Sequence, residues 1–233
     1  MTTIKKYRHE YKFLINRSEY LRLRNRFIQF MNKDPHGDSN SRYHVRSLYF
    51  DDIHNSGYYE KLNGVGKRKK YRIRIYNHSN SVIKLERKGK EGQYTQKESE
   101  LISEDLCNNL LTGNIDSLMN YNSALLSDVY IQMKTLLLKP SVLVDYVRET
   151  YIYPIENVRI TFDMELRSGL YAYDLWDANA PLLNVMDPKF MIMEVKFNRF
   201  LPTVFSNILT ELNSERMSIS KYLLCRKFTE RSF

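Results

Sequence analysis

Four stretches of this chain alternate as strands should, yet the side of each that ought to be apolar or merely polar carries fixed charge. In Tyr71-Arg72-Ile73-Arg74-Ile75-Tyr76, Arg72 and Arg74 fall on one side and Tyr71, Ile73 and Ile75 on the other. Ile83-Lys84-Leu85-Glu86-Arg87-Lys88 repeats the pattern with Lys84, Glu86 and Lys88. Val158-Arg159-Ile160-Thr161-Phe162-Asp163 and Met193-Glu194-Val195-Lys196-Phe197 follow it too. Successive strand side chains point to opposite faces, so each segment has one greasy face and one charged face. A single such strand fits a solvated outer face. Four of them, rich in Arg and Lys with a sparse carboxylate, predict charges gathered around a shared lumen that suits a polyanion.

The other segments decide what fold holds these strands. Arg8 to Ile15 reads as a first strand, with Arg8, Glu10 and Lys12 on one face. Asn16-Arg17-Ser18 caps a helix over Glu19 to Met31, and Asn32 to Ser41 is a loop by its turn residues. Tyr43 to Phe50 is strand-like, and Asp51 to Val65 is a capped turn and short helix packed through Tyr58, Tyr59 and Leu62. Lys69 to Tyr76, Val82 to Lys88 and Tyr94 to Leu101 form a β-meander. Ser103 to Leu138 is mainly helical with a break near Gly113-Asn114. Strands over Pro140 to Tyr153, Val158 to Leu166, Leu170 to Trp176 and Met191 to Phe197 precede helices over Val204 to Leu212 and Ser218 to Phe228. The expected architecture is α+β: one domain over residues 1–233, an antiparallel closed β-barrel of about eight strands forming a charged tunnel, braced by helices on its apolar outside. Buried like charges cost several kcal/mol per ion, so such a lumen must be hydrated, acid-paired or ligand-filled.

The net charge of +9, from 36 basic and 27 acidic residues, favours anionic partners. Only Cys107 and Cys225 occur, which excludes a disulfide framework and a four-cysteine zinc site and fits a reducing compartment. The opening MTTIKKYRHEYKF has no apolar core of signal-peptide length, and no run of eighteen apolar residues predicts a membrane span. A cytoplasmic location is expected.

Arginine forks match phosphate oxygens in pairs and lysines act as compact point charges, so the inward set reads as a phosphate track. Phosphoryl transfer also needs a divalent cation to neutralise developing charge, and Mg²⁺ or Mn²⁺ prefers carboxylate oxygens. Glu194, between apolar Met193 and Val195, is the leading metal ligand, with Glu10 and Glu86 as supporting candidates. Tyr146 shares its face with Arg148 and presents a hydroxyl donor; Lys221 opens the closing helix. There is no G-x-x-x-x-G-K-[ST], G-x-G-x-x-G or H-E-x-x-H motif, and the five histidines lack metal-site spacing. Because the basic residues lie on strand faces and not in one exposed patch, nucleic acid is not the expected partner.

Arg8-His9-Glu10-Tyr11-Lys12, Ser47-Leu48-Tyr49-Phe50-Asp51, Arg72-Ile73-Arg74, Glu86-Arg87-Lys88, Tyr146-Val147-Arg148, Val158-Arg159-Ile160, Glu194-Val195-Lys196 and Ser220-Lys221-Tyr222 resemble, in order, the catalytic domain of the vacuolar transporter chaperone family. That family is the polyphosphate polymerase branch of the triphosphate tunnel metalloenzymes. The resemblance implies that Glu194 binds Mn²⁺ or Mg²⁺ and that Lys12, Arg72, Arg74, Lys88, Arg148, Arg159 and Lys221 contact phosphates with help from Tyr146. Arg8, Lys84, Lys97 and Lys196 would extend the track. The implied reaction moves the γ-phosphoryl group of ATP onto a polyphosphate chain. Alternatives are a triphosphate hydrolase in the same tunnel and a non-catalytic polyphosphate- or inositol-phosphate-binding module. Arg8 stands where the hydrolytic relatives carry the first Glu of an E-x-E-x-K motif, which speaks against the first alternative.

Overall fold

Period-two alternation builds most of this molecule, and side-chain caps set where its helices begin. A computed structural model describes residues 8–92, 94–169 and 171–231. In chain order the elements are β1 (His9–Asn16), α1 (Arg17–Phe30), β2 (Asn32–Lys33), β3 (Arg42–Asp51), α2 (Ser56–Leu62), β4 (Lys67–Tyr76), β5 (Ser79–Glu91) and β6 (Tyr94–Leu101). Then come α3 (Glu104–Thr112), α4 (Ala124–Thr135), β7 (Lys139–Tyr153), β8 (Val158–Gly169), β9 (Leu183–Asn184), β10 (Phe190–Phe197), α5 (Thr203–Thr210) and α6 (Lys221–Arg231). The chain divides into two compact units, and β3, β7 and β8 each contribute residues to both.

The first unit takes the described residues up to His44, with Tyr146–Leu166 and Met186–Ser220. Its strands run in the order β1-β10-β8-β7, with β2 against β7. Phe13, Ile15, Ile160, Phe162, Met193 and Val195 form one apolar face, buried with Tyr20, Leu23 and Phe27 of α1 and Phe205 and Ile208 of α5. Helix α1 starts at a capping box: Asn16 Oδ1 accepts from the Glu19 backbone N–H while Glu19 Oε2 accepts from that of Asn16. One carboxylate is buried on this apolar side. Glu149 accepts from Tyr20 (2.6 Å), Tyr151 (2.5 Å), Arg24 (2.8 Å) and Arg42 (3.0 Å), and these donors outweigh burial and hold its pKa below the ordinary value.

The second unit takes Val45–Asp145, Arg167–Val185 and the described residues from Lys221 onward. Here β3, β4, β5 and β6 are consecutive antiparallel neighbours. Leu48, Ile73, Ile75, Ile83 and Leu85 pack with Leu106, Cys107 and Leu110 of α3 and Leu125, Leu126 and Val129 of α4. Ser103 and Ser123 cap those two helices through the N–H groups of Leu106 and Leu126, and Gly113 (φ 78°) ends α3 in the left-handed conformation that glycine adopts without strain. Arg46, 1% exposed, donates to Asp145 at 2.9 Å and to the Asp177 carbonyl at 2.6 Å, and Arg167 donates to the other Asp145 oxygen at 2.6 Å.

The α+β class and the antiparallel sheet agree with the sequence reading, and eight strands form the main path beside the two-residue β2 and β9. Hydrogen bonds do not close that path into a barrel among the described residues: it ends at β1 on one side and β6 on the other. Most side chains of β6 are solvent-exposed, as befits an edge strand. The strand expected over Leu170 to Trp176 is absent from Tyr171 to Trp176, and Leu170 lies outside the described residues. There Asp174 Oδ1 accepts from the N–H groups of Trp176 and Asp177, a side-chain turn that takes the place of ladder bonds. Tyr58 is buried in the short helix as expected, but Tyr59 and Leu62 are exposed. No described helix is long and apolar enough to cross a membrane.

Candidate functional site

Because the apolar faces of the strands are taken by helices, the charged side chains that alternate with them lie on the other face of each unit's sheet. In the first unit this face is organised around Glu194. The ladder sets Lys12 of β1 and Thr161 of β8 directly opposite it, and places Glu10, Lys196 and Arg159 side by side in the adjoining row. Lys12 Nζ lies 2.8 Å from Glu10, 3.1 Å from Glu194 and 3.1 Å from the Ile219 carbonyl. Burial disfavours the charge on Lys12, but Glu194 and Glu10 outweigh it and raise its pKa. Lys196 reaches the second Glu194 oxygen at 2.7 Å. For that lysine burial wins, and its pKa is lowered despite Glu194.

Arg148 on β7 makes a bidentate pair with Asp163 (2.6 and 2.8 Å) and lies 3.9 Å from Glu194. Its guanidinium lies over the Tyr146 ring at 5.3 Å, and Tyr146 is buried. Burial works against this cation, but Asp163 more than compensates and its pKa is raised. Arg159 donates to Asp34 and Tyr43, both at 3.0 Å, while the exposed Arg8 donates to the Asn157 carbonyl. Asp163 was not singled out as a site residue from sequence, although it shares its face with Arg159 and Thr161.

A hard dication takes oxygen donors with some water retained. Glu10 and Glu194 converge on one lysine ammonium, so both carboxylates point into the same small volume. Thr161, opposite Glu194 and 1% exposed, has a buried hydroxyl without a hydrogen-bond partner. Two carboxylates beside an unsatisfied hydroxyl fit Mn²⁺ or Mg²⁺, with the Lys12 ammonium at the position where their charges now meet.

The second unit repeats the theme around Glu86. One row runs Tyr49–Arg72–Glu86–Ser99, the next Ser47–Arg74–Lys84, and a third Lys70–Lys88–Lys97. Arg72 donates to Glu86 at 2.6 Å and to the Tyr49 hydroxyl at 2.7 Å. Arg74 donates to Ser47 at 3.0 Å and stands 4.0 Å from Glu86, while Lys97 meets the other Glu86 oxygen at 2.5 Å. Burial would push the Glu86 pKa up, but Arg72, Arg74 and Lys97 bring it down to about 2. Three cations surround this carboxylate and no second acid stands in its row, so its chemistry here is that of a counter-charge. Tyr49 is buried, and Arg72, Arg74 and Lys221 together overcome burial to lower its pKa. Lys84 lies over the Tyr76 ring at 5.4 Å, and Lys88 is exposed. Asp51 is a structural acceptor: it receives the N–H groups of Gly57 and Tyr58 at the start of α2 and the Tyr222 hydroxyl at 2.6 Å.

Thus Glu10, Lys12, Tyr146, Arg148, Arg159, Glu194 and Lys196 share the charged face of the first unit. Arg72, Arg74, Lys84, Glu86, Lys88 and Lys97 share that of the second, and Lys221 joins them through its field at Tyr49. The tyrosine and serine of β3 that hold the two arginines, and Lys70, complete the second group. Lys70 has the same parity as Arg72, a signal already in the sequence, one residue before the segment read as alternating.

Comparison with the curated proteins returned no match. Among solved structures, the PH1819 protein of Pyrococcus horikoshii OT3 is similar at 16% identity and a TM-score of 0.50, covering 97% of this chain and 99% of that one. A protein of Bacillus halodurans described as a candidate adenylate cyclase is similar at 14% identity and a TM-score of 0.54, covering 92% and 94%. At such identities the likeness is one of fold. The family model of the VTC domain matches residues 7–229, almost the whole length over which the charged strands were laid out, and the chain belongs to that family.

Proposed function

We propose that this protein is a metal-dependent phosphotransferase that moves the γ-phosphoryl group of ATP onto a polyphosphate chain. The observation that carries the reading is the grouping of basic rows around a buried glutamate, Glu194 in one unit and Glu86 in the other, on the face of each sheet away from its core. Membership of a phosphate-handling family supports it. In the first unit, Glu194 and Glu10 would hold Mn²⁺ or Mg²⁺, while Lys12, Lys196, Arg148, Arg159 and Arg8 supply positive charge to phosphate oxygens. The metal, when bound, neutralises charge on the oxygens of the transferring phosphoryl group. In the second unit, Arg72 and Arg74 present guanidinium forks, with Lys84, Lys88, Lys97 and Lys221 as point charges along a chain of phosphates. Tyr146 supports Arg148 by lying under its guanidinium. Catalysis on this reading is positioning and fixed electrostatics, with no covalent intermediate on the protein.

The test is product analysis. The protein is incubated with ATP and Mn²⁺, and the products are resolved on a gel that separates phosphate chains. A ladder accompanied by ADP is expected. Free phosphate without a ladder would replace transfer by hydrolysis, and binding without turnover would reduce the protein to a polyanion-binding module.

A further inference from the structure

Lys70 is not among the residues proposed above to hold phosphate, yet it stands two residues before Arg72 on the same face of β4. Its direct neighbour across β4 and β5 is Lys88, and the neighbour of Lys88 across β5 and β6 is Lys97. Directly opposed strand residues have Cβ atoms about 5 Å apart, and like charges so placed destabilise a sheet. The adjoining row answers its arginine with Glu86, which also reaches Lys97. At the other end of the lysine row, Lys70 Nζ is held 4.1 Å from the centre of the Tyr222 ring. That ring is fixed by its hydroxyl bond to Asp51 and by a tilted contact with the Tyr49 ring at 5.0 Å. The ring face attracts the ammonium without being a counter-ion, and Asp51, the carboxylate acting on Lys70, is already held by the Tyr222 hydroxyl.

We infer that Lys70 is a further phosphate-binding residue, which with Lys88 receives one phosphate of a nucleoside triphosphate or polyphosphate beside the Arg72–Arg74 pair. An oxyanion there answers two opposed ammonium groups at once and removes their repulsion. Burial, with Lys61 and Arg68, lowers the Lys70 pKa to about 7, so a bound phosphate has a large effect on its protonation near neutral pH. The charged and titratable groups facing it are Asp51 at the end of β3, Glu60 and Lys61 of α2, Arg68 of its own strand, Lys88 of β5 and Tyr222 of α6. The inference rests on the phosphate-binding reading of this face, and its test separates the two.

Tripolyphosphate binding is measured by calorimetry at pH 6.5 for the wild type, Lys70→Met, Lys70→Arg and Arg72→Met, with melting curves confirming that each is folded. Lys70→Met is expected to bind about tenfold more weakly, in line with loss of one charge-assisted contact, and Lys70→Arg to bind within about threefold of the wild type. The Lys70→Met deficit should shrink as the pH rises from 6 to 9 and the wild-type ammonium deprotonates. A Lys70→Met affinity within twofold of the wild type, while Arg72→Met binds weakly, overturns the role of Lys70 and leaves the functional reading standing. A wild type that binds no tripolyphosphate overturns both.

Discussion

Replacing Glu86 by Gln removes the one negative charge around which the basic rows of the second unit are arranged. Glu86 is 2% exposed and bonded to Arg72 and Lys97, with Arg74 at 4.0 Å. Its pKa falls from an ordinary 4.5 to about 2 in the folded protein. At about 1.4 kcal/mol for each tenfold change in proton affinity, that gap makes the ionised side chain worth about 3 kcal/mol of stability at neutral pH. The sign follows from the depressed pKa: this contribution is complete above about pH 4.5 and is lost as the pH falls through about 2. Glu86→Gln should therefore be about 3 kcal/mol less stable at pH 7 in urea titrations, which for a chain of this size lowers the melting temperature by about 6–12 °C. By pH 3 the deficit should drop to less than half, because the unfolded wild type has already taken up its proton. A deficit under 1 kcal/mol at pH 7, or one that stays constant down to pH 3, would refute the assignment of Glu86 as the ionised counter-charge of this face.

Glu194→Gln should weaken Mn²⁺ binding by more than tenfold in a titration followed by electron paramagnetic resonance, since it takes one of two converging carboxylates from the metal; unchanged binding would move the metal elsewhere. Tyr222→Phe should cost about 1 kcal/mol in urea titrations by depriving Asp51 of one donor while leaving its three backbone donors in place. A loss of several kcal/mol would mean that the ring, and not the hydroxyl, had been disturbed.

Parity made much of this molecule legible in advance. Once Arg72 and Arg74 were separated from Ile73 and Ile75, the face that meets α3 and α4 followed, as did the face that holds Glu86. The same reasoning separated Glu194 from Met193 and Val195. What parity does not show is which charges serve the helix side. Arg46, Asp145 and Glu149 share a face with apolar neighbours, and their burial depends on partners far along the chain: Asp177 for Arg46, and Tyr20, Arg24 and Arg42 for Glu149. Tertiary pairing of this kind leaves no local period. The loop from Tyr171 to Trp176 escaped for a related reason. Its residues alternate well enough to pass as a strand, but Asp174 spends its carboxylate on the following backbone. The role of Tyr49 was likewise invisible, because its value lies in accepting from Arg72 one strand away.

Strands β3, β7 and β8 each begin in one compact unit and end in the other. Three of the five passages from unit to unit, at His44–Val45, Asp145–Tyr146 and Leu166–Arg167, therefore fall in the middle of hydrogen-bonded ladders, while those at Val185–Met186 and Ser220–Lys221 lie outside the strands. No single cut yields either unit whole. A nick within any of these strands frees a ladder end in both, so the two charged faces, though organised around separate glutamates, share one covalent fate. Evolution could tune the rows around Glu194 and Glu86 independently, but it could not have recruited or discarded one unit as a module without dismantling the other.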